Sequence, residues 1–323
     1  MCQTGRNVKL NPPQRDHGGG LDAAIAVHGG TRADWVDLST GINPEPYPAP
    51  TLPPDAWTAL PDAEALDRLL RAARRHWSVP DTAAVLAAPG ASLIIAQVPH
   101  LWPVGRVSIP GPTYNEHAAA FDAARWQVVR SGPSDAQVIV HPNNPDGRIW
   151  TLPDLKARFC IVDESFCDVL PGATMMPAAS RGGLLILKSF GKFWGLAGLR
   201  LGFAIGDTQL IALLAERIGP WAVSGPALHI GAAALEDADW NARTRARLVR
   251  DATRLDGLMT RAGARLHGGT TLFRLYDVDD AQSWQARLAE NHIWSRVFPY
   301  STRWLRLGLP PAGAWPRLEA ALG

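Results

Sequence analysis

The feature that most restricts the fold of this chain is an alternation. Short β-rich runs recur at 84–88, 106–109, 126–130, 137–140, 159–163, 184–188 and 201–205, and helix-length segments separate several of them. That order predicts an α/β domain with a mostly parallel central sheet, whose ligands bind beyond the carboxyl ends of the strands. A Pro- and Gly-rich arm over 1–54 precedes it, with His17-Gly18-Gly19-Gly20 and Ser39-Thr40-Gly41-Ile42-Asn43-Pro44 as landmarks. The large domain is expected over 55–220. A smaller α+β domain is expected over 221–323, with a long polar helix at 237–262, strand-like runs at 271–276 and 304–307, and a helix near 281–291. No internal repeat or low-complexity tract is visible.

The 32 basic side chains nearly cancel the 30 acidic ones. No global field therefore favours nucleic acid or an anionic membrane, and any anion must be bound locally. The stripe Arg243, Arg247, Arg250 and Arg254 has helical spacing, but nearby acids such as Asp251 and Asp256 balance it, as on a solvated helix face. Cys2, Cys160 and Cys167 are odd in number and form no CxxC pair, which argues against a disulfide framework or structural zinc and fits a reducing cytosol. No HExxH suggests a metal, and no GxGxxG follows a strand. Residues 1–10 lack the apolar run of a signal peptide. The apolar stretch 83–102 is interrupted by Pro89, Gly90 and Pro99, so it cannot span a bilayer as one unbroken helix. A cytoplasmic protein is expected.

The run Leu184 to Lys188 leads into Ser189-Phe190-Gly191-Lys192-Phe193-Trp194-Gly195, so a hydrophobic strand delivers Lys192 into a glycine-rich loop. Burial disfavours the ammonium and lowers its pKa, leaving a nucleophilic amine suited to forming an imine with an aldehyde. Taken alone, Lys192 is equally readable as a surface lysine. Ser189 and Arg200 flank it with a hydroxyl and a guanidinium, both able to grip a phosphate. Gly90-Ala91-Ser92 follows the strand 84–88 and opens a helix whose free amides, with the Ser92 hydroxyl, form an anion site or a plain strand-to-helix turn. Asn144 lies in His141-Pro142-Asn143-Asn144-Pro145-Asp146-Gly147, which is also an ordinary turn signal. Asp163 ends a hydrophobic strand, where an unpaired charge is costly, so a cation must be near; a helix cap or salt bridge is the other reading, and the one that suits Glu164. Tyr114 begins a helix and is either a stacking ring or a core tyrosine, with His117 one turn on. Arg306 inside a strand-like run calls for an anion, and Arg296 lies before it; Arg303 reads as a structural ion pair.

These segments, in this order, resemble fold-type I pyridoxal-phosphate enzymes, the superfamily of class I/II aminotransferases, over nearly the whole chain. The resemblance implies a fold-type I large domain with both active sites of a homodimer at the subunit interface. It implies that Lys192 carries pyridoxal 5'-phosphate as a Schiff base, that Gly90, Ala91, Ser92, Ser189 and Arg200 hold the cofactor phosphate, and that Asn144 bonds the phenolic oxygen. Asp163 pairs with the pyridinium nitrogen and Tyr114 stacks on the ring. Arg306 clamps a substrate carboxylate, while His17, Asn43 and Arg296 meet a substrate phosphate.

The chain is most similar to two sister groups, the histidinol-phosphate aminotransferases and the threonine-phosphate decarboxylases of cobalamin synthesis, and the latter share its His-Gly-Gly and Ser-Thr-Gly-Ile-Asn-Pro segments and Leu60-Pro61-Asp62. Phe166 replaces a tyrosine that bonds the phenolic oxygen in aminotransferases, and Leu60 replaces a tyrosine that reaches a neighbouring subunit's phosphate. The resemblance thus implies decarboxylation of L-threonine O-3-phosphate, with transamination of histidinol phosphate as the alternative. A penicillin-recognising acyl enzyme built on Ser189 and Lys192 lacks the Ser-Asp-Asn and Lys-Thr-Gly that would complete it. A pyridoxal-phosphate sensor fused to a DNA-binding unit is a further reading, but no amino-terminal helix-turn-helix is apparent.

Overall fold

The computed structural model describes residues 16–323. The seven strands expected in the large domain form one sheet, in the order β2-β8-β7-β6-β5-β3-β4: β2 (Ala84–Ala88), β3 (Arg106–Ser108), β4 (Gln127–Val129), β5 (Ala136–Val140), β6 (Phe159–Asp163), β7 (Leu184–Ser189) and β8 (Gly202–Gly206). All run parallel except β8, which is antiparallel to both of its neighbours. A short strand β1 (Val36–Asp37) precedes them and pairs in parallel with β11 (Ile293–Trp294), tying the arm to the C-terminal part. There a four-stranded antiparallel sheet has the order β12-β13-β10-β9, from β9 (Arg265–Thr270), β10 (Phe273–Asp277), β12 (Arg296–Phe298) and β13 (Ser301–Gly308).

Ten helices cover these sheets among the described residues: α1 (Leu21–His28), α2 (Asp55–Thr58), α3 (Ala63–Trp77), α4 (Ala91–Gln97), α5 (Asn115–Ala123), α6 (Thr208–Ile218), α7 (Gly225–Glu236), α8 (Ala238–Arg261), α9 (Ala281–Ala289) and α10 (Trp315–Leu322). Their starts are written locally. Asp62, Asp207, Ser224, Asp237 and Asp280 each accept a backbone N–H of the first turn, which satisfies donors that a helix leaves open. None of the helices is long and apolar enough to cross a membrane.

The central strands are buried on both faces, as a parallel sheet covered by helices requires. Side chains alternate across a strand, so Leu184 and Ile186 of β7 enter one hydrophobic cluster while Leu185 and Leu187 enter the other. Lys188 falls on the Ile186 face, and it is buried. It pairs with Glu164 at 2.8 Å and lies 3.6 Å from Asp168. The ion-pair reading of Glu164 therefore holds. The cluster also receives Trp77, whose indole donates to Asp168 at 2.7 Å.

Candidate active site

Beyond the carboxyl ends of β5, β6 and β7 a cavity opens, lined by Ala91, Ser92, Tyr114, Asn144, Asp163, Ser189, Lys192 and Arg200. The chain leaves β7 at Ser189, turns through Lys192 and re-enters the sheet as β8 just after Arg200. Lys192 is half-buried there. Burial first, then the Arg306 and Arg200 charges, depress its amine to about 8, with Asp163 pulling the other way. The uncharged amine is therefore a minor form at neutral pH, but far more abundant than in an ordinary lysine.

At one end of this cavity the Arg200 guanidinium lies over Gly90, where φ is +88° and a methyl group would stand 2.6 Å from Arg200 Nη2. Only glycine leaves this approach open. Ser92 and Ser189 line the same space. The Ser189 hydroxyl accepts from Gly191 N at 3.3 Å, which leaves its own hydrogen to donate. Two hydroxyls and a guanidinium facing one cavity suit a phosphate.

At another wall stands Asp163, buried at the end of β6. Its Oδ2 meets His117 Nε2 at 2.8 Å, and its Oδ1 accepts from Ser165 N at 3.0 Å and Ser165 Oγ at 2.6 Å. Burial pushes this carboxyl up, but the bonds from His117 and Ser165 outweigh it and hold it below the usual carboxylate range. A buried carboxylate kept ionised in this way can still accept a ring N–H. The residues present therefore fit pyridoxal phosphate: an anion cradle, a cation-seeking carboxylate and a depressed amine surround one space.

A second cavity adjoins the first and shares Tyr114 and Asn144 with it; Asp16, His17, Tyr300, Arg296 and Arg306 complete its walls. Arg296 and Arg306 are directly opposite across the β12–β13 pair. Arg306 is buried, donates through Nη2 to Ser39 O at 2.6 Å and through Nη1 to Asn144 Oδ1. Burial, and then the neighbouring Arg296 charge, lower it to about 10. Arg296 donates to His17 O at 2.6 Å and pairs with Asp16 at 2.6 Å. His17 Nε2 meets Glu116 at 2.9 Å.

Twelve of the thirteen residues singled out from sequence thus stand at or beside two joined cavities, Gly90 doing so through its contact with Arg200. Asn43 does not line either. It is buried behind the Lys192 loop, donating to Phe193 O at 2.8 Å, accepting from Arg247 Nη2 at 2.5 Å, and giving its backbone N–H to Lys192 O at 3.0 Å. Its side chain is spent on bracing the loop, so the structure does not bring it to a substrate phosphate. Phe166 lines the first cavity, with the Lys192 amine 5.3 Å from its ring centre, and Leu60 is 68% exposed. Arg303 pairs with Asp277 at 2.7 Å, as a structural arginine does.

Sequence reasoning misread the role of one residue and missed two others. His117 was a candidate for stacking, and it instead bonds Asp163; its place one turn after Tyr114 on α5 was the available signal. Ser165, two residues after Asp163, donates its backbone N–H and hydroxyl to Asp163 Oδ1, the local turn that an aspartate side chain favours. Asp16 carried no signal. His141, Glu164 and Cys167 cluster closely enough to suggest a metal. However, His141 is committed to Ala173 O and Trp150 N, and Glu164 to Lys188, Thr174 and Met175 N.

A profile of the family "Aminotransferase class I and II" matches residues 34–322. The chain is 41% identical to a threonine-phosphate decarboxylase of Sinorhizobium sp over 93% of its own length and 95% of that protein's. It is 37% identical to the threonine-phosphate decarboxylase of Pseudomonas aeruginosa over 95% and 97%. Among solved structures it resembles the histidinol-phosphate aminotransferase of Sinorhizobium meliloti in complex with pyridoxal-5'-phosphate, with a TM-score of 0.77 and 18% identity, covering 94% of this chain and 93% of that one. That last likeness bears on the fold alone.

Proposed function

The chain belongs to the class I and II aminotransferases, and from that premise we propose that it is a pyridoxal-phosphate-dependent lyase that decarboxylates L-threonine O-3-phosphate to (R)-1-amino-2-propanol O-2-phosphate. The observation that carries the reading is near-full-length identity, 41% and 37%, to threonine-phosphate decarboxylases. Two arginines facing each other across β12 and β13 beside the Lys192 cavity support it, because they suit a substrate with two anionic groups. The name of those relatives favours a place in cobalamin biosynthesis. Division at residues 54 and 220 into arm, cofactor domain and small domain, a cytoplasmic location and a homodimer belong to the same proposal.

When bound, pyridoxal phosphate supplies an electron-accepting ring for the electrons left on Cα. Ser92, Ser189 and Arg200, with the turn at Gly90 and Ala91, would hold its phosphate; Asp163 would keep its ring nitrogen protonated, Asn144 would donate to its phenolic oxygen and Tyr114 would cover one face. The Lys192 amine, in its uncharged form, would be the point of attachment. Arg306 grips the substrate carboxylate, while Arg296 and His17 receive the substrate phosphate. Anchoring both anionic ends fixes the torsion about Cα, and that torsion selects which Cα bond breaks. Loss of carbon dioxide leaves the bonding pair on Cα, and a proton supplied there by the Lys192 ammonium or by water completes the product.

The test is turnover of L-threonine O-3-phosphate by the purified holoenzyme. Carbon dioxide release with no keto acid present is expected, and borohydride reduction should fix the coenzyme to Lys192. Strict dependence on 2-oxoglutarate would instead establish the histidinol-phosphate-type aminotransferase, and capture of a labelled β-lactam at Ser189 would defeat both.

A further inference from the structure

The cation assigned to the substrate phosphate already has an anion on it. Asp16 meets Arg296 at 2.6 Å, and the Arg296 side chain is only 12% exposed, so the carboxylate occupies much of the guanidinium's open face. The strap is held at its backbone too: Asn115 Nδ2 donates to Asp16 O at 2.8 Å, and Arg296 Nη1 donates to His17 O. The other residue assigned to the phosphate also has a partner, His17 Nε2 lying 2.9 Å from Glu116. Gly18 continues the strap so close to Ser39 that a methyl group there would lie 2.3 Å from Ser39 O.

We propose that Asp16 tunes the phosphate affinity of this site: it is an internal anion that holds the Arg296 seat until a phosphate displaces it. The inference rests on the reading of Arg296 as a phosphate ligand. A neutral hydroxyl cannot compete with a carboxylate for a guanidinium, whereas a phosphate carries more charge and three acceptor oxygens. An unphosphorylated amino acid therefore leaves the ion pair in place and gains nothing from Arg296. The cost is a lower apparent affinity for phosphate, reduced by the fraction of molecules whose seat is free.

Inorganic phosphate is the probe, used as a competitive inhibitor of the holoenzyme. Asp16→Asn keeps the size and removes the charge. It should lower the phosphate inhibition constant about two- to fivefold, the range for a partly exposed ion pair, and raise the preference for threonine phosphate over threonine, because only the phosphorylated substrate has to displace the carboxylate. A gain of affinity is not a result that damage to the strap produces. Asp16→Glu should lie near the parent protein. An unchanged or raised inhibition constant in Asp16→Asn overturns the proposal. Arg296→Gln separates the two claims: if it leaves phosphate inhibition unchanged, the assignment of Arg296 to phosphate fails. If it weakens inhibition while Asp16→Asn does nothing, only the role of Asp16 fails.

Discussion

At the scale of single residues, the chemistry depends on groups whose charge is set by burial and by one or two partners. Asp163 is the clearest case, because nothing about a strand-ending aspartate says which protonation state it keeps. Burial alone would raise its pKa, and the His117 and Ser165 bonds reverse that. His117→Phe removes one of these bonds without opening a cavity. A hydrogen bond to a charged group contributes about 1.5–3 kcal/mol, so the variant should unfold at a lower urea concentration and, with Asp163 less firmly ionised, lose about ten- to hundredfold in kcat/KM. Steady-state kinetics with the coenzyme saturating would check this, and unchanged kinetics would reduce His117 to a packing residue. Lys192 shows the opposite balance: no bond to a carboxylate holds its proton, and two arginines add to burial in releasing it.

At the scale of elements, β7 does two different things with two lysines. Lys192 lies past its end and faces the cavity, while Lys188 lies within it and faces the opposite side of the sheet, among Glu164, Asp168 and Trp77. Burial opposes the Lys188 charge, but the two carboxylates outweigh that and hold its pKa above the ordinary value. Lys188→Met would leave two buried carboxylates without their cation. We expect a loss of about 3–5 kcal/mol in urea unfolding, with Lys188→Arg much closer to the parent. The pH dependence has a definite sign. Glu164 is pushed up by burial and down further by Lys188 and its hydrogen bonds, so its folded value is depressed. Its contribution is present above the unfolded carboxylate range and is lost as pH falls through the folded value. Acid unfolding of the parent should therefore be steeper than that of Glu164→Gln, as followed by circular dichroism.

At the scale of the whole molecule, one apolar surface asks for a cover. Trp57 on α2, Leu60 just after it and Trp221 before α7 are 71%, 68% and 62% exposed. The two helices are in close contact, since a methyl on Gly225 would lie 2.2 Å from Ala56 O. Large exposed apolar side chains on contacting elements are of the kind that association surfaces use, which supports the homodimer proposed above. Sedimentation should give twice the 34.8 kDa chain mass, and Trp57→Glu with Trp221→Glu should shift the protein to monomer; a monomeric parent would remove the homodimer from the proposal.

What was legible along the chain was whatever short-range order can write. Strand, turn and helix caps follow from local propensity and period, so the seven strands, the Gly90 turn and the Lys192 loop could be read directly. The sheet order was not, because pairing joins residues far apart. Nor was the use of Asn43, which the motif alone aimed at a substrate and the packing of α8 turned toward the loop. The same holds for Asp16 on Arg296, a contact between two chain ends. Residue types and spacing thus determined which groups would stand beyond the sheet's edge. Tertiary structure decided which of them share a proton, an ion pair or a cavity, because those energies depend on distance through space and on how much water is excluded.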